Sequence, residues 1–89
     1  MTAELMPKLA PHVRLSFDQT RQRHVLLSPE AVTVLNDTGA AVLGLCDGQR
    51  TLAEIVAELE SRYERVPADE VSHFLDQLAA AGRLEISDG

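Results

Sequence analysis

The stretch from Leu43 to Leu59 constrains the fold more than any other, because it ends one helix and begins the next within a few residues. Asp47-Gly48 reads as the stop, since glycine tolerates the left-handed conformation just past a helix end. Thr51 with Glu54 three residues on is a capping box, in which each side chain satisfies a backbone donor left orphaned at the new helix start. Leu52, Ile55, Val56 and Leu59 then follow at i, i+3, i+4 and i+7, one apolar stripe facing a core. Two helices joined by so tight a turn must pack against each other or against a shared layer.

The rest of the chain supplies that layer. Val13, Leu15 and Phe17 alternate with His12, Arg14 and Ser16, the period of a strand with one buried face. Asp18 to Gln22 is a polar turn, and Arg23 to Leu27 returns as a second strand. Pro29-Glu30 makes a short turn before Ala31-Val-Thr-Val-Leu35, whose β-branched run predicts a third strand. A helix from Pro29 to Leu35 competes, because proline suits a first helical turn, but Val32, Thr33 and Val34 in a row weigh against it. Asn36 or Asp37 caps a first helix running to about Cys46, and a second helix runs from Leu52 to about Tyr63. Pro67 opens a third, with Asp69 and Glu70 in its first turn, Val71, Phe74, Leu75 and Leu78 as its apolar stripe, and Gly82 at its end. Leu84-Glu-Ile86 alternates as a short wing strand. Residues 1–11 read as a flexible arm, since Pro7 and Pro11 oppose regular pairing, leaving 12–89 as the domain. In that arm Met6, Leu9 and Ala10 offer contacts for a partner or a second copy.

Eighty-nine residues bury one modest core. With aromatic residues at 3%, that core must be built from aliphatic side chains. There is no 18-residue apolar run and no basic-then-apolar signal pattern, and the single cysteine forms no internal disulfide, so a cytoplasmic location is the expectation. Charge is uneven. Residues 1–50 hold five basic and five acidic side chains, whereas residues 51–89 hold three basic and nine acidic, so the whole net charge of −6 lies in the C-terminal half.

No catalytic constellation emerges. Cys46 ends an apolar run beside Asp47 and reads as a buried structural thiol rather than a nucleophile, which needs an oriented histidine in an electropositive site. His12, His24 and His73 lack metal-ligand spacing, so no metal is expected. Gly39, Gly44 and Gly48 lack the strand-loop-helix context and Lys-Ser/Thr ending of a phosphate loop; Gly39 and Gly44 read instead as sites of close helix packing. Glu54, Glu58, Asp69, Glu70 and Asp76 fall on outer helix faces as solvated charge, and Tyr63 at the edge of the core. A helix-turn-helix order invites a DNA-binding reading. A recognition helix bearing Asp69, Glu70, Ser72, His73, Asp76 and Gln77, however, opposes phosphate, and a transcription regulator would need a basic stripe that is missing.

Val13-Arg-Leu15, Leu27-Ser-Pro-Glu30, Leu35-Asn36 with Thr38-Gly39, Leu45-Cys-Asp-Gly48 and Thr51 with Glu54-Ile55-Val56, in this order from about Val13 to Leu84, resemble the pyrroloquinoline quinone biosynthesis protein D family. The resemblance implies an α+β fold like a winged helix-turn-helix, with a small three-stranded antiparallel sheet, three helices and a wing. It also implies a non-catalytic peptide chaperone without cofactor that binds the ribosomally made precursor peptide and hands it to a radical S-adenosylmethionine enzyme. The implied mode is strand addition, with Ala31, Val32, Thr33, Val34 and Leu35 as the receiving edge and Phe74, Leu75 and Leu78 as the groove wall. The competing placement puts these side chains wholly in the core. Neither nucleic acid nor membrane is an expected partner. A homodimer is compatible with the pattern, and a winged helix-turn-helix transcription regulator and a pure dimerisation or scaffold protein are the remaining alternatives.

Overall fold

The computed structural model describes residues 1–88. Five strands and three helices run in the order β1 (Met6–Leu9), β2 (Arg14–Asp18), β3 (Arg23–Leu27), β4 (Val32–Leu35), α1 (Asp37–Gly44), α2 (Leu52–Glu60), α3 (Ala68–Ala80) and β5 (Leu84–Ser87). β2, β3 and β4 form the expected antiparallel meander, with β3 central. The helical alternative for Pro29 to Leu35 is excluded: Ser28 and Ala31 exchange backbone hydrogen bonds of 3.0 and 3.3 Å around Pro29-Glu30, and β4 follows directly.

The N-terminal segment is not a free arm over its strand. β1 pairs antiparallel with β5 in a separate two-stranded ribbon, with Pro7 opposite Ile86 and Leu9 opposite Leu84. Pro7 is tolerated because of the side it faces. Its carbonyl accepts from the Gly48 N–H at 3.0 Å. In an extended strand a residue's nitrogen and carbonyl point to the same side, so the missing donor lies on the Gly48 side and not in the β1–β5 ladder. Pro7 and Ala10 are buried, and the wing expected at residues 84–86 is the partner that β1 needs.

Helix starts follow their local chemistry. Asn36 Oδ1 accepts from Gly39 N at 2.7 Å, capping α1. The capping box of α2 is complete: Glu54 N donates to Thr51 Oγ1 at 3.2 Å, and Thr51 N donates to Glu54 Oε1 at 2.8 Å. That bond to the Thr51 backbone holds the Glu54 carboxyl below its usual range. The two remaining first-turn donors, Leu52 N and Ala53 N, find the carbonyls of Leu5 and Ala3 at 2.8 and 3.1 Å. Pro67 precedes α3 as its N-cap and makes no side-chain cap.

Helix ends came earlier than expected. α1 stops at Gly44 and not near Cys46, with two tight turns carrying the chain through Leu45 and Cys46. Gly48, at φ +77°, belongs to the loop beyond, where a Cβ would stand 3.1 Å from the Lys8 side chain; its job is to let β1 pass. α2 stops at Glu60, and the Arg62 and Tyr63 N–H groups still bond to the Leu59 carbonyl. Gly82 carries φ +75° just after α3, as expected of a helix stop.

The core is aliphatic. Leu26, Val42, Leu43, Ile55, Leu59 and Leu75 are its largest fully buried side chains, contributed by the meander and all three helices. No buried side-chain nitrogen or oxygen lacks a partner among the described residues.

Candidate peptide-binding site

β4 is an edge strand, hydrogen-bonded to β3 on one side only. Which of its backbone groups face the open side follows from the turn. Ser28 and Ala31 form a bonded pair, and bonded and non-bonded pairs alternate along an antiparallel ladder. Thr33 and Leu35 therefore bond to Leu26 and His24, whereas the N–H and C=O groups of Val32 and Val34 project from the free edge.

Beside that edge lies a cavity of about 420 Å³. Its β4 wall is Thr33, Val34 and Leu35, followed by Asn36. The first turns of α1 contribute Thr38, Gly39 and Val42, and the facing wall is Pro67, Glu70, Val71 and Phe74 of α3, with Arg65 at the mouth. Val71 and Phe74 stand one turn apart on α3 and so share the face turned to β4. The lining is mostly apolar, with Arg65 and Glu70 as its charged groups. No residue of β2, the other edge of the meander, lines this cavity.

The structure divides the expected site residues. Thr33, Val34, Leu35 and Phe74 line the groove. Val32 is exposed on the edge, and Ala31 sits in the preceding turn. Leu75 and Leu78 do not belong to the wall: they are 0% and 7% exposed and lie in the core, as the competing placement had it. Leu75 lies about 100° round the helix from Phe74, under α3, whereas Leu78 shares nearly the bearing of Phe74 but stands one turn further along the helix, beyond the groove. Asn36, Thr38, Gly39, Val42, Arg65, Pro67, Glu70 and Val71 were missed. Val71 carried a readable signal, lying three residues before Phe74 on the same stripe. The first turn of α1 and the loop before α3 carried none.

Glycines in α1 behave differently from one another. At Gly39 an added Cβ would meet Asn36 Oδ1 at 3.1 Å and Phe74 Cζ at 3.6 Å, so the α1–α3 approach does use this glycine. Gly44 meets nothing within 4 Å, so the packing expected there is absent.

The groups weighed for catalysis are dispersed. Cys46 is buried, its thiol donating to the Val42 carbonyl at 3.3 Å, and burial together with nearby Asp47 pushes it up to about 12. A thiol so reluctant to ionise is a poor nucleophile. His24 packs edge-on against Phe17 with ring centroids 5.0 Å apart. Glu54 serves the capping box, Glu58 pairs with Arg62 and Asp76 with the N-terminal ammonium, which leaves Glu70 as the single carboxylate on the groove. No group of three or more His, Cys, Asp or Glu side chains among the described residues suits a metal ion, and none of their helices is long and apolar enough to cross a membrane.

The model of the family "Coenzyme PQQ synthesis protein D (PqqD)" matches residues 23–84. A protein named PqqA binding protein from Methylococcus capsulatus is 46% identical over 57 residues, covering 64% of this chain and 61% of that protein. PqqA binding protein 1 from Pseudomonas putida is 38% identical over 73 residues, covering 80% of each. Among solved structures, the solution structure of the PqqD truncation of Methylobacterium extorquens PqqCD, described as a functional, stand-alone recognition element for ribosomally synthesised and post-translationally modified peptides, superposes with a TM-score of 0.69. It is 40% identical and the match covers 89% of this chain and 87% of that one. The fold and the sequence matches agree, and the chain belongs to the PqqD family.

Proposed function

We propose that this protein is a non-catalytic peptide chaperone of pyrroloquinoline quinone biosynthesis. It binds the precursor peptide, PqqA, as an added strand on β4 and presents it to the radical S-adenosylmethionine enzyme of the pathway in the cytoplasm. The observation that carries the reading is the coincidence of a free strand edge with an apolar groove of about 420 Å³ on the same side. The outward N–H and C=O groups of Val32 and Val34 supply main-chain hydrogen bonds to an extended peptide. Val71, Phe74 and Pro67 receive every second peptide side chain, the division of labour that strand addition requires. The relatives' names and the description of the Methylobacterium recognition element support the peptide as ligand. The dispersal of the candidate acids, histidines and thiol supports a binding role rather than a chemical one.

Titration of the protein with full-length precursor peptide, read by calorimetry and backbone amide shifts, tests the proposal. Binding at micromolar or tighter affinity, with the peptide unchanged in mass and the largest shifts at residues 32–39 and 65–74, is the expected result. No heat and no shifts at high peptide concentration would refute it.

A further inference from the structure

Arg50 and Arg83 are the half-buried basic side chains of the chain; the others are exposed. Arg50 pairs with Asp47 at 2.8 Å, whereas Arg83 takes part in none of the four ion pairs among the described residues. A guanidinium stays charged inside proteins, so drawing it partly out of water without a counter-ion costs stability. The Arg83 backbone is pinned on both sides: its N–H donates to the Leu78 carbonyl at 2.9 Å, and its carbonyl accepts from the Ala10 N–H at 3.1 Å. Its side chain reaches the receiving strand, where Nη1 donates to Thr33 Oγ1 at 3.3 Å. That bond is long, its acceptor is neutral, and it uses one of five donors. Arg83 also follows the C-terminus of α3, whose carbonyls carry partial negative charge, yet its guanidinium bonds to Thr33 and to none of them.

Thr33 stands where an added peptide would pass. It lies two positions before Leu35, so both side chains leave the same face of β4, on the groove side, while the backbone groups of Val32 and Val34 face the free edge. Side chains of neighbouring residues on adjacent strands share a face. A peptide residue beside Thr33 therefore projects its side chain on the side where Arg83 stands. The residue beside Leu35 projects over Val71 and Phe74. The groove's own carboxylate, Glu70, is in the first turn of α3 and Arg65 lies before that helix, whereas Arg83 comes after its last turn, about 20 Å along the axis. Glu30, three residues before Thr33, and Glu85, two residues after Arg83, make no ion pair with it.

Resting on the peptide-binding reading above, we infer that Arg83 is a specificity-determining residue of the site: it receives a carboxylate of the precursor peptide, borne by the residue that lies beside Thr33 when the peptide joins β4. The residue two positions away, beside Leu35, is apolar. The element recognised is thus an acidic and an apolar side chain separated by one residue, with Thr33 holding the guanidinium for a forked pair. The peptide covers Arg83 as it binds, so a peptide without an acid at that position buries an unpaired charge.

The full chain is titrated by calorimetry with full-length precursor peptide and with a series of that peptide in which each Asp is changed to Asn, or each Glu to Gln, one at a time. Arg83→Gln keeps a donor for Thr33 without the charge, and Arg83→Lys keeps the charge without the fork. Expected is that Arg83→Gln and one amide substitution each weaken binding about tenfold, that the two together weaken it no further than either alone, and that Arg83→Lys falls between. A folded Arg83→Gln variant with wild-type affinity overturns the inference. So does one that binds every peptide of the series more weakly by the same factor, the mark of a purely structural role. Where Arg83→Gln fails to fold, the amide series against wild-type protein decides. No single substitution costing more than about threefold overturns the inference, and one that does so, with its cost reduced in Arg83→Lys, supports it. In all these cases wild-type protein binds the peptide and the peptide-binding reading stands. Wild-type protein that fails to bind peptide removes the reading, and the inference with it.

Discussion

The N–H of Leu52 donates to the carbonyl of Leu5 over 2.8 Å, and through that bond the N-terminal segment closes the first turn of α2. Together with Ala3, which takes the Ala53 N–H, and the Thr51–Glu54 box, it leaves α2 with a fully bonded start. No residue of this segment lines the groove, although the Met1 ammonium donates to Ser72 Oγ and Asp76 Oδ2 of α3 at 3.1 and 2.9 Å.

Deleting residues 1–5 removes two capping acceptors, each worth about 1 kcal/mol. The expected result is a domain less stable by about 1–3 kcal/mol, seen as a lower melting temperature by roughly 5–20 °C, with peptide affinity of the folded fraction unchanged. An unchanged melting curve would show that water replaces these carbonyls without loss.

Proline scanning of β4 separates the two sides of the strand. Val34→Pro removes an outward N–H that the sheet does not use, so the fold should survive while peptide affinity falls about tenfold or more. Val34→Thr keeps the donor and should bind nearly as wild type. Thr33→Pro removes a donor to β3 and should destabilise the domain by about 3 kcal/mol. Equal destabilisation by both prolines in urea melts would place the ladder in the other register of bonded pairs.

Phe74 and Leu75 are neighbours on α3 with different duties. Phe74→Ala takes apolar surface from the groove wall and should weaken peptide binding, by calorimetry, more than it lowers stability. Leu75→Ala opens a cavity in the core and should cost about 2–5 kcal/mol of stability. Reversal of this pattern would move the groove.

Cys46→Ser should keep peptide binding and cost about 1–3 kcal/mol, because a hydroxyl is harder to bury than a thiol. The pH dependence has a definite sign. The native thiol is raised from 9.0 to about 12, so the unfolded chain loses this proton first as pH climbs. Wild-type stability therefore falls between about pH 9 and 12, by up to about 1.4 kcal/mol per pH unit from this group. The serine variant lacks that contribution, so the gap between the two in urea melts should narrow over this range.

Duplex DNA should not bind at physiological salt. α3 carries Asp69, Glu70 and Asp76 on its exposed side and no basic residue in its last turn. An electrophoretic shift that fades steeply with added salt would contradict this.

The elements legible in the chain were those set by neighbours a few residues apart. The Thr51–Glu54 box, the cap at Asn36 or Asp37, which the structure gives to Asn36, the strand from Arg23 to Leu27 and the stripe of Leu52, Ile55 and Leu59 all act within one turn or one strand, and all stand in the structure. β1 was invisible because its partner is some 75 residues away. Whether Pro7 breaks a strand depends on which side its nitrogen faces, and only the approach of Gly48 decides that. Gly48 likewise looked like a helix stop and proved to be room for Lys8. The receiving edge was readable as a β-branched run, but the groove was not. It exists where β4, the first turn of α1 and the start of α3 converge, and its walls include Thr38 and Arg65, which have no apolar pattern to announce them. The stripe of Val71, Phe74, Leu75 and Leu78 marked α3 as amphipathic without saying how it is shared. Packing against α2 and β5 holds Leu75 and Leu78 in the core, while Val71, itself buried, and Phe74 lie on the first two turns of α3, where the helix starts beside β4 and lines the groove.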